Sequence, residues 1–200
     1  MSPSRRDSLG FTLVEVLVAI TIVALLGLII VPVVLGRLDV ARAESIVAEM
    51  QTLQTGIQMF QRDVGRYPKR LDYLVVLPGS GVVDACDAPI SAQNQAKFRG
   101  PYINRSIADS AGGTVGTRYT LATDDSVDWT PTRTTITAVS GGTQQVLQIL
   151  VRGPEQGIVE EIDTDVDGVV DGTQGTIRYS AIQPNENILV WTFPITNGAC

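Results

Sequence analysis

Residues 11–35 read FTLVEVLVAITIVALLGLIIVPVVL, apolar at nearly every position, with Glu15 as the one ionisable side chain. As a helix this run would be roughly 37 Å long, enough to cross a bilayer hydrocarbon core of about 30 Å. Gly36 and Arg37 mark the exit, and the pattern then changes character. Ala43, Ile46, Met50, Leu53, Ile57, Phe60 and Val64 recur at spacings of three and four, one apolar stripe on an amphipathic helix. Arg42, Glu44, Glu49, Gln51, Gln58 and Arg62 fall mostly on the other side, and Gly65 is a stop signal. Pro32 and Gly27 or Gly36 are weak points at which the long helix could bend or partly melt once it is packed in an assembly.

After residue 102 the pattern turns to strands. Segments 116–122, 132–139, 144–151, 176–181 and 188–193 alternate or run in Thr, Val, Ile and Tyr between Gly, Asp, Asn and Pro breaks. Gly141-Gly142 between two of them reads as a hairpin turn. The expected fold is therefore α+β, a long N-terminal helix whose amphipathic half packs on an antiparallel sheet of about four to six strands. The organisation that follows is a polar N-terminal segment at 1–10, an apolar helix long enough to span a membrane at 11–36 and an amphipathic helix at 37–65. A connecting region at 66–115 and a sheet domain at 116–200 complete it.

Charge and composition narrow the function. The net charge is −6 and no basic cluster stands outside the N-terminal ten residues and the 62–70 region, which argues against nucleic acid as a main partner. There is no histidine, so the commonest general base and metal ligand are missing, and no catalytic set is expected. Arg5 and Arg6 precede the apolar run, so the N-terminus is expected in the cytoplasm and the body outside it. Cys86 and Cys200 lie far apart with no Cys-x-x-Cys spacing. Outside the cytosol such a pair is expected to bridge, constraining the unfolded chain by about 4–5 kcal/mol in the loop-entropy account.

One stretch carries ligand chemistry. In Asp163-Thr-Asp165-Val-Asp167-Gly168-Val169-Val-Asp171, carboxylates alternate, a glycine allows a turn, and the Val169 carbonyl and Asp171 follow. This order matches loops that wrap Ca²⁺, and oxygen donors without His or Cys favour a hard cation. The expected ligands are Asp163, Asp165, Asp167, Asp171 and the Val169 carbonyl, with Glu160 or Glu161 as additions. Gln174 stands where an EF-hand has its closing glutamate, so the expectation is a Ca²⁺-stabilised loop between strands.

The N-terminus resembles that of type IV pilins and the related pseudopilins of type II secretion: Gly10, then FTLVEV, the apolar run, and Pro32 deep inside it. A secretory signal peptide differs, with an apolar region of about 7–15 residues and its cleavage site after it. Arg66-Tyr-Pro-Lys-Arg-Leu71 and Phe98-Arg-Gly-Pro-Tyr-Ile103 are similar to later elements of the major pseudopilin. The resemblance implies cleavage after Gly10 by a prepilin peptidase, methylation of Phe11, and extraction by an inner-membrane assembly machine into a helical homopolymer. It implies that Glu15 is neutralised by the Phe11 amino group of an adjacent copy. A carboxylate in an apolar span is costly and needs such a partner. The expected protein is thus a pilus-like filament subunit, with a type II secretion major pseudopilin as alternative. A single-span anchored binding module is the reading from another class.

Overall fold

The computed structural model describes residues 11–77, 79, 81–104, 118–120, 126–128, 134–137, 143–183 and 186–195. Helix α1 spans Leu13–Val64 and is continuous through Gly27, Pro32 and Gly36 in the single chain, whereas the bending expected there belongs to the packed state. Thr12 starts it: its Oγ1 accepts the Glu15 N–H at 3.3 Å, satisfying one of the orphan donors of the first turn. Gly65 ends it with φ of 79°, its N–H donating to the Gln61 carbonyl at 2.8 Å. A left-handed residue at this place favours glycine, as the stop signal anticipates.

The chain divides into two units at Asp39 and Val40. In the first, α1 is long and apolar enough to cross a membrane, and the large apolar side chains described there, among them Leu13, Ile20, Leu25, Ile30 and Leu38, are exposed. In the second, the predicted stripe is the heart of the core. Ala43, Ile46, Met50, Leu53, Phe60 and Val64 are fully buried and Ile57 nearly so. Burying each large side chain contributes about 1.5–3 kcal/mol of transfer free energy, which is what holds this half of α1 to the body.

The sheet is antiparallel throughout. Its strands are β1 (Arg118–Thr120), β2 (Ser126–Asp128), β3 (Thr134–Thr137), β4 (Thr143–Arg152), β5 (Ile177–Gln183) and β6 (Glu186–Pro194). Their order is β1-β2-β4-β6-β5, with β3 also on β4. β2 pairs the end of β4 (Ser126 with Arg152) and β3 pairs its beginning (Thr137 with Thr143), so the two short strands share one edge. The long central pair sets Leu147 opposite Phe193, Ile149 opposite Trp191 and Val151 opposite Leu189. All six are buried, the period-2 alternation of a sheet with one face on the core. The Gly141-Gly142 turn lies outside the described residues, although the strands it was expected to join do pair.

Four elements differ from the sequence reading. β2 is an additional strand. A 3₁₀ turn at Leu71–Leu74 and one helical turn, α2 (Ala92–Gln95), interrupt the connecting region. The acidic stretch is mainly helix: α3 spans Gln156–Asp167 and packs on β5 and β6. Its Ile158, Val159 and Ile162 are buried and Val166 is partly buried, at spacings that put them on one helical face. Burial of that face outweighs the turn preference of the aspartates.

Candidate functional site

At the N-terminus, Gly10 lies outside the described residues. Phe11 is 81% exposed and precedes the helix, so the peptide bond that the resemblance assigns to processing is joined to a non-helical residue. Glu15 occupies the third helical position, its N–H held by Thr12 and its side chain exposed. A carboxylate in a first turn is favoured by the positive end of the helix dipole. Thr12 and Glu15 together have the Thr-x-x-Glu spacing of a capping box. Pro32 lies within α1 and leaves the helix unbroken.

The connecting region is bound to the end of α1 by residues of the 98–103 element and of the apolar stripe, joined by Asp63 and Gly56, which the sequence reading did not single out. Phe60, Phe98 and Tyr102 meet edge to face, with ring centroids 5.3–6.1 Å apart. The Tyr102 hydroxyl donates to Asp63 Oδ2 at 3.1 Å and accepts the Arg99 N–H at 3.0 Å. Partial burial pushes the Asp63 carboxyl up, but hydrogen bonds from Arg62 and Tyr102 and the charges of Arg62 and Arg99 hold it below its ordinary value. Burial, and next the Asp63 carboxylate, pushes the Tyr102 phenol up. A Cβ on Gly56 would stand 3.0 Å from the Ile103 side chain, so glycine allows the close approach of this segment to α1.

Asp84 organises the turn that carries Cys86. It is fully buried, and its Oδ1 accepts the N–H groups of Cys86 (2.9 Å) and Ala88 (2.8 Å) while Arg66 approaches Oδ2 at 3.5 Å. Lys69 and Asp87 form an ion pair beside it. Cys200, the other cysteine of the chain, lies outside the described residues.

The acidic stretch is arranged differently from the loop that was expected. Asp163, Asp165 and Asp167 belong to α3, and Gly168 ends it with φ of 79°. Two residues on a helix are about 200° apart, so Asp165 faces away from Asp163 and is exposed. Asp163 and Asp167, four apart, share a side. Asp163 is fully buried: Oδ2 accepts the Asp171 N–H at 2.7 Å, and Oδ1 has no hydrogen-bond partner. Asp167 accepts the Ile177 N–H at 2.8 Å, and Asp171 accepts both the N–H and the hydroxyl of Thr173.

Burial, and then the negative charges of Asp167 and Asp171, push the Asp163 carboxyl above its ordinary value. The Thr173 hydrogen bonds hold Asp171 low. A pocket of about 210 Å³ lies alongside, lined by Asp167, Val169, Asp171, Gln174 and Gly175. Among the described residues, no three acidic, His or Cys side chains are grouped closely enough to hold a metal ion as they stand. The orphaned Oδ1 of Asp163 and its two acidic neighbours nevertheless form a place where added positive charge would be stabilising.

Residues 5–31 match the family model described as the prokaryotic N-terminal methylation motif. The type II secretion system core protein G of Aeromonas hydrophila is 33% identical over 112 residues, covering 54% of this chain and 70% of that protein. The chain belongs to the core protein G family. The Klebsiella pneumoniae core protein G is 32% identical, covering 52% of this chain and 69% of that protein. The Xanthomonas campestris core protein G is 36% identical over 78 residues, and the chain spans about half (54%) of its length. No solved structure matches the chain closely enough to be counted. The N-terminal resemblance to pseudopilins is thereby established.

Proposed function

We propose that this chain is the structural subunit of a type IV pilus-like filament. It is held in the inner membrane by the first half of α1, cleaved after Gly10, and polymerised through that same helix. The observation that carries the reading is the sharp change along one continuous helix. Up to Leu38 the large apolar side chains that are described are exposed, and from Ala43 the stripe is buried in the chain's own body. An apolar rod of this kind needs either lipid or copies of itself around it. On leaving lipid, Glu15 would gain the ammonium of a neighbour's Phe11, because an unpaired carboxylate in such surroundings is costly.

Within this reading the names of the relatives favour the secretion filament, the pseudopilus, over a surface pilus. In the secretion case, deletion of the gene abolishes export of secreted proteins; in the pilus case, it removes fibres from intact cells. Mass spectrometry of the mature subunit tests both forms at once. The expected N-terminus is Phe11, N-methylated; a mature chain that still begins before Gly10 would overturn the proposal.

A structural Ca²⁺ ion belongs to the same proposal. The residues that would hold it are Asp163 through its unpartnered Oδ1, Asp167, Asp171 and the Val169 carbonyl. Asp165 is left out by its place on α3. The ion would offset the mutual repulsion of these carboxylates and fix the segment after α3. We further propose that Cys86 pairs with Cys200, which would tie the C-terminus to the Asp84 turn.

A further inference from the structure

Two unlike surfaces of the body carry charge that is not balanced within the described residues. The outer face of α3 presents Glu160, Glu161 and Asp165. Glu160 takes a hydrogen bond from Gln156, and none of the three makes an ion pair among the described residues. Directly after the helix, Val169 and Val170 are 67% and 51% exposed. The second surface lies where the 97–103 segment crosses the end of α1. There Arg62, whose side chain is 70% exposed, and Arg99 both act on the single carboxylate of Asp63, and Lys97 adds a third cation that, among the described residues, bonds to the Asn94 amide oxygen alone. One helical turn before Arg62, Met59 is 38% exposed. Each surface thus combines an unbalanced charge with a small apolar contact, and the two signs are opposite.

We propose that these surfaces dock on each other between copies of the chain: the α3 face of one subunit (Glu161, Asp165, Val169, Val170) against the Arg62–Arg99 surface and Met59 of the next. The contact joins unlike patches, so it is heterologous and repeats without closing, the type of interface that builds an open helical polymer. It rests on the filament reading above and adds a contact between bodies to the packing of the apolar helices. Desolvated like charges across such a contact are strongly unfavourable, while restored opposite charges recover it.

The test is charge reversal in the full-length chain, in cells that carry the assembly machinery. The readout is the filament recovered by shearing and sedimentation, relative to subunit in the membrane. Glu161→Lys with Asp165→Lys, and separately Arg62→Glu with Arg99→Glu, should each lower filament yield about tenfold. The four-site variant should recover most of it, which also shows that the altered chains fold. If either reversal alone leaves the yield unchanged, or the four-site variant stays as poor as its parents, the docking is wrong. Lost secretion with normal filaments after α3 reversal would likewise assign that face to another partner. Absence of filaments from the unaltered chain would instead overturn the filament reading itself.

Discussion

The Tyr102 hydroxyl reaches back to the Asp63 carboxylate, 3.1 Å away, and so fastens the connecting region to the last turn of α1. Replacing Tyr102 by Phe keeps the ring among Phe60 and Phe98 and removes this bond alone. Asp63 is held below its ordinary value in the folded protein, so it favours the folded state above that value. The contribution is lost as pH falls through the lower, folded value. Tyr102→Phe should therefore lower the melting temperature at pH 7 by more than at pH 3, as followed by circular dichroism.

Gly56 separates two effects of opposite sign. Alanine there gains about 1 kcal/mol of helix propensity, but its Cβ meets Ile103 at 3.0 Å. The Ile103 methyl can give a few tenths of an ångström, so Gly56→Ala should stay within about 1 kcal/mol of the unaltered protein. Gly56→Leu must also displace Leu74 and the Tyr102 carbonyl, and should cost about 1–3 kcal/mol or more in urea unfolding.

Phe60 is fully buried between the α1 stripe and the aromatic pair of the connecting region. Phe60→Ala should destabilise the body by about 3–5 kcal/mol, by loss of transfer energy and by the cavity left behind. Leu38→Ala, at an exposed position on the same helix, should leave body stability within about 0.5 kcal/mol. Equal effects of the two changes would contradict the division of α1 into an exposed and a buried half.

Much of this division was legible beforehand. The spacing of Ala43 through Val64 named every stripe position that the structure buries, because a helix of about six turns repeats its signal. α3 was not read, although Ile158, Val159, Ile162 and Val166 have helical spacing. Three turns repeat that signal too few times, and the aspartates between them also suit a turn. The strands were read in place where β-branched runs were long, and β2, three residues long, was missed. The roles of Asp63, Asp84 and Gly56 depend on contacts with residues distant in the chain, which no local pattern encodes.

Asp163 gives a prediction with the opposite pH sign to Asp63. Its folded value is raised, so the folded state is favoured by protonation, and that advantage is lost as pH rises from the ordinary carboxylate value through the raised one. In chelator-treated protein, Asp163→Asn should raise the melting temperature at pH 7 and flatten the pH dependence above about pH 4. Added Ca²⁺ should stabilise the unaltered protein and not the variant. A melting temperature indifferent to Ca²⁺ in both would remove the metal from the account.

The cysteines are checked by mass. Non-reducing digestion should yield one peptide pair joining Cys86 to Cys200. Serine at either position should lower stability by about 2–5 kcal/mol if the bridge forms. Free thiols in the mature exported chain would contradict the pairing.

Glu15 is where the assembly account is most exposed to test. Cells producing Glu15→Ala in the full-length chain should hold normal amounts of subunit in the inner membrane, cleaved after Gly10, and yield almost no sedimentable filament. Filament yield equal to that of the unaltered chain would show that Glu15 needs no neighbouring amine, and would contradict polymerisation through this end of α1.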